Sequence, residues 1–377
     1  MSAIVRVDVG RYDYAVAGSF KFLKPGRDGV VRRPSVLVRL TDDEGFSGWG
    51  QAVPMPTWCY ETPETVETTL RLYLAEALLG ADPEDLEDVH ARMNRAIRPA
   101  FSVGQPLCKA ALDLACFDLV GKRRGVSAAE LLGGAKRSSL TLSWTVASAD
   151  LEAAERQLEA GRARGYRNFN IKVGAPQSAA YDLELARTVR TASPDGFVWA
   201  DANTAYSEAE ALKLAPKLAD AGVDVLESPL PPTQLRGYQR LKAQGALPIL
   251  MDEGVLSPVE LREFIALEML DGVALKPARN AGLWPSKGIV EALWQCGLMV
   301  LGSGLTDPDF ALAAAVQLYS WAGIAYPCAL NGPQFLADSL GDAFAQQGDQ
   351  LLLPTEPGLG FVVYEPVAEL LETVAEV

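Results

Sequence analysis

Five ionisable residues stand at near-even spacing through the middle of the chain: Lys172, Asp201, Glu227, Asp252 and Lys276. Each closes a short apolar run, for example Trp199-Ala200-Asp201, Val225-Leu226-Glu227 and Leu250-Met251-Asp252. Three carboxylates gathered without counter-charge repel one another, and a hard divalent cation relieves the repulsion. All-oxygen ligation suits Mg2+ with open positions for water or substrate, so Asp201, Glu227 and Asp252 are candidate metal ligands. Lys172 and Lys276 flank them. A lysine near a cation and away from water loses proton affinity and can act as a base near neutral pH. Two such lysines on either side of a bound carboxylate can take a proton from one face of the α-carbon. They can then return one to the other face or to a leaving group. The ion would stabilise the charge of the resulting enediolate.

These five groups must be brought to one place. The gaps between them are 29, 26, 25 and 24 residues, about the length of one strand, one helix and two loops. A charged residue at the end of each strand, repeated with that period, describes a parallel α/β protein with its chemistry on one rim. Strand ends are expected at about 145, 172, 201, 227, 252, 276, 303 and 331, eight units in all. Eight is the closure number of a (β/α) barrel, and no glycine-rich phosphate loop supports the competing open sheet. Ser207-x-x-Glu210 and Ser257-Pro258-Val259-Glu260 read as helix-starting capping boxes, and Pro216 should kink the helix it interrupts.

The flanks differ. Residues 1–51 read as strands and residues 62–122 as helices, an α+β pattern. The expected organisation is an α+β capping domain over residues 1–135 and a (β/α)7β-like TIM-type barrel over 136–335. A segment over 336–377 returns to the cap, with a short strand expected within Leu353–Val363. Two loops rich in aromatics, around Phe20–Lys24 and Trp58–Tyr60, are placed to cover the barrel mouth.

Bulk properties narrow the partners. The 377 residues are 49% hydrophobic and 22% charged, with a net charge of −14. That charge disfavours nucleic acid and anionic membrane surfaces. It does not exclude a small carboxylate, because a bound cation reverses the local sign. No apolar run is long enough to span a membrane, and Met1–Arg6 does not resemble a secretory signal, so a cytoplasmic location is expected. Cys59, Cys108, Cys116, Cys296 and Cys328 show no metal or redox spacing. The one histidine, His90, reads as a surface helix position, which makes a histidine-based triad a poor reading.

With these residues in view, the chain resembles the enolase superfamily, and within it the muconate-lactonizing-enzyme-like members. The matching pieces are Ile171-Lys172-Val173-Gly174, Asp201-Ala202-Asn203, Glu227-Ser228-Pro229, Asp252-Glu253 and Lys276-Pro-Ala-Arg-Asn-Ala-Gly282. The resemblance covers essentially the whole chain. It implies Mg2+ on the three acids, Lys172 and Lys276 as the acid–base pair, and a homo-oligomer, either a dimer or an octamer. The mandelate-racemase-like branch uses a His–Asp pair, which His90 alone cannot supply. Two departures stand out. Family members usually carry Lys-x-Lys on the second strand, where this chain has Asn170-x-Lys172. Asn170 is expected to donate a neutral hydrogen bond to Lys172 or to the substrate carboxylate. Ala281-Gly282 replaces a common pair of glycines.

The resemblance leaves the substrate open. Asn170, Asn203, Glu253, Ser303, Trp58 and Tyr60 are the candidates for contacting substrate or supporting the site. Dipeptide epimerases of the family place Asp-x-Asp where this chain has Ala329-Leu330-Asn331-Gly332. The Asn331–Phe335 segment and the single strand-2 lysine are most similar to members acting on proline derivatives, cis-3-hydroxyproline dehydratases and betaine epimerases. The alternatives are a muconate-type cycloisomerase, a racemase of N-substituted amino acids, or a non-catalytic homologue that only binds small molecules.

Overall fold

The computed structural model describes residues 2–18, 20, 22–99, 102–342 and 344–377. Lys21, in the expected Phe20–Lys24 loop, lies outside them. Three antiparallel strands open the chain: β1 (Ile4–Ala15), β2 (Arg32–Asp42) and β3 (Ser47–Ala52). Asp42 shapes the β2–β3 turn, its Oδ1 accepting the N–H groups of Glu44 (3.1 Å) and Phe46 (2.8 Å). A helix over Pro106–Arg124 lies against this sheet, and every residue from 106 to 121 is buried. The approach is close because β3 carries Gly48 and Gly50. A Cβ at Gly50 would stand 1.8 Å from the Ala111 carbonyl oxygen.

A short strand outside the parallel sheet, β4 (Ser139–Thr141), precedes the parallel part, which begins with β5 (Trp144–Val146). Then come β6 (Phe169–Lys172), β7 (Val198–Asp201), β8 (Val225–Glu227), β9 (Ile249–Met251), β10 (Gly272–Leu275) and β11 (Met299–Gly302). Strands β5 to β11 form one seven-stranded parallel sheet in strict chain order, with a helix after each of β5 to β11. This is an α/β fold of the TIM type with an N-terminal cap. Ser207 and Ser257 form the expected capping boxes with Glu210 and Glu260. The helix Glu208–Asp220 runs on through Pro216. The proline supplies no N–H to the Leu212 carbonyl, and Gln244 Nε2 donates to that oxygen instead, at 2.8 Å.

Two strands depart from expectation. The first, expected unbroken from Leu140 to Val146, is split, because β13 (Gln350–Leu352) takes up the hydrogen bonds of β4. The eighth, expected over Ala325–Leu330, is reduced to single-residue bridges, Cys328 with Leu142 and Ala329 with Ser303. Pro327 lacks the N–H that a longer ladder there requires. The short strand expected within Leu353–Val363 is likewise reduced to single-residue bridges, Gly358 with Ser127 and Val363 with Gly341. The returning strands are β12 (Gln346–Gln347), β13 and β14 (Leu371–Glu376), the last pairing antiparallel with β1.

The cap and barrel are fastened by buried polar contacts. His90 is not a free surface residue: its side chain is 13% exposed and its Nε2 lies 2.8 Å from Asp113 Oδ2. The buried Asp113 carboxylate also accepts the N–H groups of Leu283 (2.5 Å) and Trp284 (3.4 Å), which begin the barrel helix after β10. Arg33 of β2 is fully buried and donates to Val53 O and Pro54 O, each at 2.6 Å, and to Leu305 O at 3.0 Å. No helix of the described residues is long and apolar enough to cross a membrane.

Candidate active site

The strand register builds the site in two layers. Lys172 pairs with Asp201 across β6 and β7, and Asp201 with Glu227 across β7 and β8. Asp252, Lys276 and Ser303 each directly follow the last residue of β9, β10 and β11. Two residues further down, alternation returns each strand to the same face. There Trp199, Val225, Leu250, Ala274, Leu301 and Ala329 make an apolar cluster of their own. That cluster is the floor that keeps water from the rim above it. Asn170 pairs in register with Trp199 and interrupts the floor with a polar group.

The rim is charged and almost sealed. Asp201 and Glu227 are each 1% exposed and Asp252 is 0%. Lys172 forms an ion pair with Asp201, and Lys276 with Asp252. Arg279 also holds Asp252, through its Oδ1 (2.5 Å) and its backbone carbonyl. Arg279 stood inside the recognised Lys276–Gly282 motif, yet nothing in its spacing showed that it would turn back onto β9. Asn203, at φ 44°, donates its backbone N–H to Asp201 Oδ1 at 2.8 Å. Ser228 Oγ accepts the Asp252 N–H at 3.1 Å.

Burial, then the charges of Asp201 and Asp252, push the Glu227 carboxyl well above the usual range. Its Oε1 has no hydrogen-bond partner. Burial and the charge of Asp252 raise Glu253 in the same way. Lys276 stands under opposing influences. Burial works to lower its proton affinity, but Asp252 and Glu227 outweigh it and hold the ammonium above its ordinary value. Among the described residues, no three acids, histidines or cysteines are grouped as a metal cage. The donor set still fits a hard cation: three buried carboxylates, one of them with an orphaned oxygen, and no softer ligand among them.

A narrow cavity lies against this rim. Lys172, Lys276, Asn170, Asn203, Ser303 and Trp58 all line it. The Trp58 ring lies 4.5 Å from Lys276 Nζ and 5.4 Å from Arg279 Cζ, and its Nε1 donates to Glu253 Oε1 at 3.1 Å. Glu253 thus supports Trp58 and, through a long 3.5 Å contact, Asn203. Tyr60 differs from expectation. It is 64% exposed and lines a neighbouring cleft instead, because Glu61 turns inward beside it. Asn170 lines the cavity with its Nδ2 3.5 Å from the Trp199 carbonyl rather than on Lys172, which leaves the expected contact with a substrate carboxylate as the other alternative. Met55, Thr306 and Asn331 line the cavity too. Thr306, at φ 56°, sits in a loop whose sequence carries no chemical signal.

This arrangement has known counterparts. Residues 152–367 match the family described as enolase C-terminal domain-like. Residues 23–133 match the mandelate racemase / muconate lactonizing enzyme N-terminal domain. The chain belongs to the enolase superfamily. It is an enzyme of the superfamily's muconate-lactonizing-enzyme-like group. It is 32% identical over 337 residues to chloromuconate cycloisomerase CbnB of Cupriavidus necator, covering 88% of this chain and 89% of that one. It is 26% identical over 340 residues to the N-succinyl-L-Arg/Lys racemase of Bacillus cereus, with 90% of each covered. The crystal structure of 2-chloromuconate cycloisomerase from Rhodococcus opacus 1CP superposes with a TM-score of 0.87 at 27% identity, covering 98% of this chain and 99% of that one.

Proposed function

We propose that this enzyme removes the α-proton of a small carboxylate bound at Mg2+ and completes the reaction by proton return or by elimination of a β-substituent. One observation carries the reading: Lys172 and Lys276 end strands four positions apart in the sheet, with Asp201, Glu227 and Asp252 between them. Asp201, Glu227 and Asp252 would hold the ion. When bound, Mg2+ supplies positive charge that makes the substrate's α-proton more acidic. The chain's own residues do the rest. Lys172 and Lys276 approach the α-carbon from opposite sides, one accepting the proton at its Nζ and the other delivering one. Arg279 and Ser228 keep Asp252 in place, and Asn203 does so for Asp201. Trp58 and the apolar floor exclude water around Lys276.

The relatives named above favour a second outcome of the same half-reaction, a cycloisomerisation in which one lysine acts alone. The reading as a dehydratase or epimerase of a proline derivative rests only on the Asn331–Phe335 segment and on Asn170. A screen of carboxylates for deuterium uptake at the α-carbon in D2O with Mg2+ decides the matter. Uptake is expected to fall by about 10²–10⁴-fold in Lys172→Met and in Lys276→Met, with circular dichroism unchanged. Undiminished uptake in both variants rejects the proposal.

A further inference from the structure

The cavity lining mixes two chemistries. Lys172 and Lys276 are its charged groups. Its neutral lining includes buried groups whose oxygens have no partner: Asn170 Oδ1, Thr306 Oγ1 and Asn331 Oδ1. Asn170 is 1% exposed, Thr306 1% and Asn331 6%. The amide of Asn170 has a set orientation, because only its nitrogen can face the Trp199 carbonyl, which leaves Oδ1 as an acceptor. A buried acceptor without a donor is costly, and native structures satisfy it with a protein group, water or a ligand. The lysines lining the cavity are already paired with Asp201 and Asp252. Among the described residues lining the cavity, Lys172 and Lys276 are the cations, and both are so engaged.

We propose that this neutral wall selects a compact carboxylate carrying a hydrogen-bond donor, an ammonium, amide N–H or hydroxyl, and rejects a second carboxylate. Asn170 is its central specificity residue. The inference rests on the proton-abstraction reading of the same site and names its substrate class. A donor placed beside Asn170 Oδ1 satisfies the orphaned oxygen. A distal carboxylate brings only acceptors and sets its charge against that oxygen in a dry pocket. By this reasoning the chain parts from those of its relatives whose names specify muconates.

Binding with Mg2+ present, measured by calorimetry, tests this with four probes. L-Proline and N-acetyl-L-alanine carry a donor, cyclopentanecarboxylate keeps a ring without one, and cis,cis-muconate carries a second carboxylate. At least one donor-bearing probe is expected to bind about tenfold tighter than both of the others. In N170L that preference should collapse towards unity, and in N170K, which adds a cation to the wall, muconate should gain. N331A, with a smaller loss of preference, keeps the test usable if N170L does not fold. Equal or tighter binding of muconate or cyclopentanecarboxylate, no binding of either donor-bearing probe, or an unchanged preference in the variants overturns the inference. Deuterium uptake recorded on the same samples separates the two claims. No uptake with the binding order intact removes only the proton-transfer reading. Uptake without the binding order removes only this one.

Discussion

The indole of Trp58 lies 4.5 Å from the Lys276 ammonium, so a loop of the cap supplies one wall around a strand-end lysine of the barrel. A cation over an aromatic face is worth about 0.5–2 kcal/mol. Trp58→Leu removes that face and the donor to Glu253, and α-proton exchange should fall about tenfold in kcat/KM. Trp58→Phe should recover part of the loss. Equal rates for both variants and the native enzyme would show that the indole only fills space.

Glu227 makes a prediction of opposite signs. Its carboxyl is buried among two like charges, so Glu227→Gln should raise thermal stability in a Mg2+-free buffer. The same change should abolish the rise in Tm that Mg2+ gives the native enzyme, since stabilisation by an ion requires binding to the folded state. Differential scanning calorimetry with and without Mg2+ reads both effects. A Tm rise with Mg2+ that persists in Glu227→Gln removes this residue from the ligand set.

Glu61 sets a pH dependence. Burial raises its carboxyl from 4.5 to about 7, against the N–H groups of Leu107 and Cys108 and the charge of Lys109, which favour the ionised form. Between those two values the folded chain holds a proton that the unfolded chain has released. Stability from this group is therefore complete below about pH 4.5 and is lost as pH rises through 7, by about 3 kcal/mol at most. Urea titrations from pH 4.5 to 8 should show a shallower fall for Glu61→Gln than for the native chain. Parallel curves would refute the assignment.

Gly50 tests the cap. Its Cβ position is 1.8 Å from the Ala111 carbonyl oxygen, so Gly50→Ala must push the Pro106–Arg124 helix off β3. A loss of about 2–3 kcal/mol in urea denaturation is expected, the range of an overpacked core. Gly45→Ala, at an open turn with φ +86°, should cost less, since only backbone strain opposes it.

The charged rim was more legible in the sequence than the architecture around it. Asp201, Glu227, Asp252, Lys172 and Lys276 announce themselves because each ends an apolar run, and the period of those runs sets strand and helix in order. The split of the first strand and the loss of the eighth were not visible. Both depend on partners more than 180 residues away in the chain, Gln350 for Thr141 and Cys328 for Leu142. Arg33 and Asp113 were missed for a related reason. A buried arginine clamping backbone carbonyls, or an aspartate capping a helix in another part of the fold, leaves no local pattern. His90 read as a surface residue because its partner lies on a neighbouring helix. The Asn170 substitution was plain to see, but its bonding direction was not, because the Trp199 carbonyl belongs to the next strand.

The pairing of β14 with β1 also imposes an order in time. Strand β1 is synthesised long before its partner, since the strand that covers its free edge lies at residues 371–376. At about 5–20 residues per second, that edge waits tens of seconds for its partner. Through that interval the nascent chain exposes unpaired backbone groups that could recruit a strand from a neighbouring chain. The hazard is greatest on crowded polysomes, where nascent copies lie side by side.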